Sequence, residues 1–269
     1  MSTRPSTGRS CLRTGSVSSE PGSTHWFEEV ADHLGSAYLR YSFTKGTANE
    51  VSFLRDVLDL GPGDRVLDVG CGPGRHAHAL AAEAALVTGV DISWRFLQVA
   101  AERPGPSFVR ADARALPFAG TFDAAISLCQ GAFGLTGQGP PAGADASVPG
   151  SEPDATILRE IALALRPGGR LALTAFSAYF QLRYLEDSDE FDASSAVNHE
   201  RTVVRDEAGR EVETDLWTTC YTPRELRLMA EDAGLVVRNI WSVAPGSDGA
   251  RPPVVDAPEF LLLAELPVG

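Results

Sequence analysis

One stretch of this 269-residue chain has residue types and spacing that point at a ligand: Val66-Leu-Asp-Val-Gly-Cys-Gly-Pro-Gly-Arg-His76. An apolar run containing Asp68 leads into Gly70, Gly72 and Gly74, and a helical pattern follows. Glycines at a strand end let backbone approach a ligand closely, and the start of a helix presents free N–H groups. The spacing argues against a dinucleotide pyrophosphate. That ligand wants G-x-G-x-x-G, which places a third glycine at position 75, where Arg75 stands. Asp91 closes the next apolar run, 21 residues beyond Gly70. An acid at that place can accept hydrogen bonds from both hydroxyls of a ribose, whichever nucleoside is bound. Each acid also has a plainer role open to it. Asp68 could cap the glycine loop, Asp91 could cap the next helix, and Asp112 could be a solvated turn acid.

Such a loop needs strands and helices to hold it, and the periodicity supplies them. Trp26, Phe27, Val30, Leu34, Ala37 and Tyr38 recur at helical spacing, and a second helix runs through Val51, Leu54, Val57 and Leu58. After the Gly61-Pro-Gly63 break, strands and helices alternate: strands near 65–69, 86–90, 108–110, 122–128 and 170–176, helices near 75–83, 94–102 and 157–165. Short connections between such units predict an α/β fold with a doubly wound, Rossmann-like, parallel sheet. Two segments interrupt it. Residues 136–153 are rich in Gly, Pro and Ala and read as a loop. Residues 177–222 form an insertion, in which Asp206-Glu-Ala-Gly-Arg210 reads as the turn of a β-hairpin. Thr222-Pro-Arg-Glu225 is a capping box, and two closing strands follow near 235–243 and 259–265. The expected organisation is a disordered tail over 1–24, a helical cap over 25–60 and a nucleoside-binding core over 61–176. A substrate lid over 177–222 and a closing helix and strands over 223–269 complete it.

The glycine stretch resembles motif I of class I S-adenosylmethionine-dependent methyltransferases, D/E-x-G-x-G-x-G. The resemblance continues in order. Asp91 stands at the ribose position, Phe108-Val-Arg-Ala-Asp-Ala-Arg114 at the adenine segment, Phe122–Leu128 at the fourth strand, and Leu165-Arg-Pro-Gly-Gly169 at the turn before the fifth. It covers about residues 60–176 and the final helix and strands, and implies a seven-stranded sheet with S-adenosyl-L-methionine as cofactor. The residues it assigns to that cofactor are Asp68, Gly70, Cys71, Gly72, Gly74, Asp91, Ile92, Asp112, Ala113, Leu128 and Gln130. Tyr41, with Tyr38 and Phe43, is expected to close over it, since an aromatic face suits a sulfonium. Small-molecule N- or O-methylation is the expected activity. A methyltransferase-fold protein with other chemistry, and an NAD(P)-dependent oxidoreductase, are the alternatives.

The acceptor side is less determined. Gln130 and Phe133 follow the fourth strand, where methyltransferases acting on nucleobase amines resemble one another in an Asn/Asp-Pro-Pro-aromatic motif that this chain lacks. His199 is the candidate general base, because neutral imidazole is present near pH 7, with Tyr179 as a second catalytic candidate beyond a strand end. Alignment of the nucleophile alone can suffice for such a transfer. The run Leu185–Asp192 holds five acids, and reads as a solvated loop or a steering surface for a cationic amine.

Composition bounds the partners. Lys+Arg 23 against Asp+Glu 36 gives a net charge of −13, which repels a phosphate backbone, so no nucleic-acid partner is expected. The four cysteines make no CxxC pair, so neither a metal site nor a disulfide framework is expected. No apolar run reaches the ~18 residues of a membrane span, and residues 1–24 lack a signal-like apolar stretch, so no membrane partner and a cytoplasmic location are expected. A small-molecule substrate and a homodimer paired along a hairpin edge complete the expectations.

Overall fold

The computed structural model describes residues 25–83, 85–135, 151–246 and 251–269. The tail over 1–24, with Cys11, and most of the 136–153 loop lie outside the described residues, as does the side chain of Phe43.

Helices α1 (Trp26–Leu34) and α2 (Thr47–Val57) are joined by two short 3-10 turns over Gly35–Arg40 and Ser42–Gly46. The core then alternates β1 (Arg65–Val69), α3 (Arg75–Ala82), β2 (Leu86–Asp91), α4 (Trp94–Ala101), β3 (Ser107–Arg110) and β4 (Phe122–Ser127). Helix α5 (Ser151–Ala164) and β5 (Leu165–Phe176) follow. The insertion holds α6 (Ala178–Arg183), β6 (Asp189–Asp192), β7 (Val197–Arg205) and β8 (Glu211–Thr219). Helix α7 (Pro223–Asp232) and strands β9 (Val236–Val243) and β10 (Glu259–Glu265) close the chain.

Seven strands make one sheet in the order β3-β2-β1-β4-β5-β10-β9. The sequence reading is sharpened at one edge, where β10 runs antiparallel to both β5 and β9. All six residues of β4 are buried, as expected where helices cover both faces. Leu54, Leu58, Ala77 and Leu80 of α2, its end and α3 pack against one face. Ile157, Leu158 and Ile161 of α5, with Leu226 and Ala230 of α7, pack against the other.

The insertion folds as a separate three-stranded sheet, β6-β7-β8. Its hairpin turn is built by Asp206, whose Oδ1 accepts from the amides of Ala208 and Arg210, both at 2.8 Å. The acidic run, read as a solvated loop, instead contributes strand β6, with Asp189 opposite Glu200. Strand β8 is an edge of this sheet and carries Glu211, Glu213 and Asp215.

A third apolar cluster joins this small sheet to the N-terminal helix. Val30 and Leu34 of α1, Phe96 of α4 and Val204 of β7 are buried together, with Phe27 and Tyr38 ringed around Phe96. Burial of each large side chain is worth about 1.5–3 kcal/mol. At the hairpin tip Glu207 accepts from the Ser36 amide at 2.8 Å and from Arg95 at 2.6 Å, in solvent. Exposed ion pairs are screened, so the apolar cluster, not these contacts, holds the small sheet against α1. No described helix is long and apolar enough to cross a membrane.

Candidate active site

The glycine loop leaves β1 and turns into α3 with left-handed backbone at Gly70 (73°), Gly72 (53°) and Gly74 (79°). Gly70 has no room for a side chain. A Cβ there would lie 2.0 Å from the Gly131 carbonyl carbon, and a Cβ on Gly131 would lie 2.1 Å from the Gly70 carbonyl oxygen. Two glycines face to face therefore let the loop after β4 descend onto the glycine loop. Gly72 differs, since the nearest atom to its Cβ position is Phe96 Cδ2 at 3.8 Å. The space above it is open to a ligand.

Asp91 ends β2 beside this loop. Its Oδ2 accepts from the Gly72 amide and its Oδ1 from the Ser93 amide, each at 2.8 Å. The side chain is 4% exposed, and burial pushes its pKa up to about 6 against the pull of those amides. Both carboxylate oxygens are thus fixed, each with a further lone pair.

Asp91 lines two adjoining cavities. One of about 450 Å³ is walled by His25, Phe27, Ile92, Asp112, Ala113 and Ile157. The other, of about 690 Å³, is walled by Trp26, Tyr38, Phe96, Gln130, Phe176 and Glu200. Phe27, Gly70, Asp91, Gly131 and Leu135 belong to both. Helix α1 roofs the seam, and Trp26 Nε1 donates to the Leu135 carbonyl at 3.1 Å. His25 caps that helix, its Nδ1 accepting from the Phe27 amide, and burial lowers its pKa. Asp112 is held below its ordinary pKa despite partial burial, because Arg114 binds it through backbone and guanidinium.

The structure brings Gly70, Gly72, Asp91, Ile92, Asp112, Ala113 and Gln130 onto the walls of these two cavities. Gly74 lies beneath, where a Cβ would meet Ala100 at 3.0 Å and Phe108 at 3.1 Å. Asp68 is 2% exposed under the loop, with Oδ2 unpartnered, and burial raises its pKa to about 7. Cys71 turns toward Gly89 of β2. Leu128 borders a third cavity of about 380 Å³, which Glu50, Cys129, Thr174 and Glu259 also line. Tyr41 packs in the lid cluster, its hydroxyl accepting from the Arg205 amide at 3.4 Å, while Tyr38 reaches the cavity.

Both catalytic candidates stand outside the two cavities. His199 Nε2 is 2.8 Å from Asp215 Oδ1, and its ring stacks on Trp217 at 5.0 Å and 7°. Successive residues of a strand face opposite ways. The cavity is lined from this sheet by Glu200, Leu216 and Thr218, so His199 and Trp217 lie on the other face. Tyr179 is 41% exposed on α6, edge-on to Phe260. Phe133 is fully buried against Tyr221 at 4.9 Å.

Sequence reasoning overlooked Glu200, which sat beside the favoured histidine, and His25, Trp26 and Phe27. Only the strand's phase, set by its pairing, distinguishes Glu200 from His199. It also overlooked a buried polar cluster behind the loop. Arg75 donates to Glu50 at 2.5 Å, Thr47 at 2.8 Å and Cys129 Sγ at 2.9 Å. Glu50 also meets His76 Nε2 at 2.8 Å and accepts from the Gly246 amide at 2.7 Å. Burial opposes its charge, yet His76, Arg75 and that amide hold its pKa at about 2. The residue standing where a dinucleotide site has glycine thus anchors α2 and the β4 loop to the glycine turn.

Comparison with known proteins shows what this arrangement resembles. Residues 66–137 match the methyltransferase domain family model. A demethylmenaquinone methyltransferase of Corynebacterium kroppenstedtii is 38% identical over 125 residues, 46% of this chain and 46% of that protein. A 27-O-demethylrifamycin SV methyltransferase of Amycolatopsis mediterranei is 30% identical over 167 residues, 56% of this chain and 55% of that protein. The chain thus spans about half the length of the curated relatives it matches. Among solved structures, the CcbJ methyltransferase from Streptomyces caelestis superposes with a TM-score of 0.70 at 18% identity, covering 88% of this chain and 97% of its own. A SAM-bound amino pentose methyltransferase from Micromonospora echinaspora superposes with a TM-score of 0.59 at 22% identity, covering 86% and 95%.

The open space over Gly72 beside the fixed Asp91 carboxylate fits S-adenosylmethionine, the cofactor of the methyltransferases that this chain resembles. The ribose would meet Asp91, the adenine the Ile92–Ala113 cavity, and the methionyl arm Gly70 and Gly72. Over residues 66–137 the chain is thus similar to the methyltransferase domain family, and its motif order and sheet topology resemble those of class I S-adenosylmethionine-dependent methyltransferases.

Proposed function

We propose that this chain transfers a methyl group from S-adenosylmethionine to a nitrogen or oxygen of a small metabolite. One observation carries the reading: Asp91, fixed by two amides, stands at the seam between a nucleoside-sized cavity and a second cavity with aromatic walls. When bound, the cofactor supplies an electrophilic methyl on a sulfonium. The residues of the chain do the rest. Asp91 orients the ribose. Trp26, Phe27, Tyr38 and Phe96 line the second cavity and exclude water, and an aromatic lining suits a cation. The lid and α1 enclose the acceptor, and alignment of its nucleophile is the main catalytic contribution.

The acceptor's small size is supported by this enclosure and by the net charge of −13, which disfavours nucleic acid. The names of the relatives, which act on a quinone precursor, a rifamycin and an amino pentose, agree with it. The test is titration calorimetry followed by incubation with labelled methyl donor and metabolite fractions. Saturable heat and a labelled small product are expected. No heat at millimolar donor would overturn the reading, and binding without any labelled product would favour non-methylating chemistry.

A further inference from the structure

The second cavity is asymmetric in charge. Among the described residues its lining includes two carboxylates, Asp91 and Glu200, and no Lys or Arg side chain. Asp91 is committed to the cofactor side through the amides of Gly72 and Ser93. Glu200 is not, for it enters from the lid on β7, opposite the glycine loop. Strand pairing puts Asp189 directly across from it, and Glu186 also acts on its charge, so the acidic run supplies the field behind this carboxylate.

One buried polar group on the same strand face lacks a partner: Asn198, 4% exposed, lies on the Glu200 face of β7, and its Oδ1 makes no hydrogen bond. Glu200 itself lines the cavity, and is the carboxylate that an acceptor's N–H would meet on this side.

Building on the methyl-transfer reading, we propose that Glu200 selects the acceptor: a primary or secondary amine whose N–H donates to the Glu200 carboxylate between aromatic walls, so that its lone pair forms the new N–C bond as the donor's S–CH3 bond breaks, with S-adenosylhomocysteine leaving and the ammonium proton passing to Glu200 or solvent. A hydroxyl in place of the nitrogen would give up the charge-assisted bond.

The test uses the full chain with labelled methyl donor and two matched pairs of probes. These are trans-2-aminocyclohexanol against trans-1,2-cyclohexanediol, and a methyl 3-amino-3-deoxyglucoside against the methyl glucoside. Donor binding by calorimetry is measured first, and its absence would overturn the underlying methyl-transfer reading together with this one. With donor bound, transfer to an amine member and not to its hydroxyl counterpart is expected. Glu200→Gln should raise the amine KM roughly 10- to 100-fold, the equivalent of one charge-assisted hydrogen bond, with donor affinity within twofold. Glu200→Asp should recover part of the loss, which a purely structural role would not produce. Equal transfer to both members of a pair, no transfer to either amine, or an unchanged KM in Glu200→Gln would overturn the proposal while leaving donor binding intact.

Discussion

Replacing Asp91 by Asn isolates the group on which cofactor binding rests. The carboxylate accepts from Gly72 and Ser93 at 2.8 Å each, and offers its remaining lone pairs to a ribose. Asn keeps one carbonyl oxygen and puts an amide NH2 where the other stood. One ribose hydroxyl then loses its acceptor, at about 1.5–3 kcal/mol, and the other exchanges a charged partner for a neutral one, at about 1 kcal/mol. The sum, about 2.5–4 kcal/mol, corresponds to roughly 70- to 900-fold in Kd. Calorimetry with S-adenosylmethionine, alongside a thermal melt to confirm folding, measures it. The wild-type protein has a companion signature. Burial raises the Asp91 pKa to about 6, so the carboxylate is ionised above that pH and protonated below it. Donor affinity should therefore hold from pH 8 to about 7 and fall as pH drops through 6, and in Asp91→Asn that fall should flatten. A folded variant binding within threefold of wild type would refute the role given to Asp91.

Gly131→Ala should abolish donor binding while leaving much of the sheet folded, because its Cβ would sit 2.1 Å from the Gly70 carbonyl oxygen; circular dichroism and calorimetry separate the two effects. Glu50→Gln should destabilise the protein by about 3–5 kcal/mol in urea unfolding, since it strands Arg75 beside a buried neutral partner. Glu50 is held near pKa 2, below its ordinary 4.5, so the stability its charge confers is present above about pH 4.5 and lost as pH falls toward 2. Acid unfolding of Glu50→Gln should be correspondingly shallower over that window. His199→Ala should leave the turnover number within about twofold and lower stability modestly, because the imidazole faces Asp215 and Trp217; loss of turnover at unchanged stability would contradict that placement.

The sequence by itself determined what depends on neighbours in the chain. The glycine loop, its acid Asp91 and the alternating strands and helices are contiguous patterns, because a turn, a cap or an amphipathic face is specified within a few residues. The hairpin turn at Asp206 and the capping box at Thr222 were legible for the same reason. Only the tertiary structure decided what the strand pairings and the lid bring together. A strand shifted by one residue exchanges its faces. In the triplet Asn198-His-Glu200 the histidine has the more suggestive chemistry, but the β7–β8 register turns it away and gives the cavity to Glu200. The acid run became a strand by pairing with β7. Arg75 reads locally as a missing glycine, yet its partners Thr47, Glu50 and Cys129 come from two other segments. Contacts between residues 25 to 54 apart in the chain carry no local signature, so their chemistry is settled only once the core has closed around them.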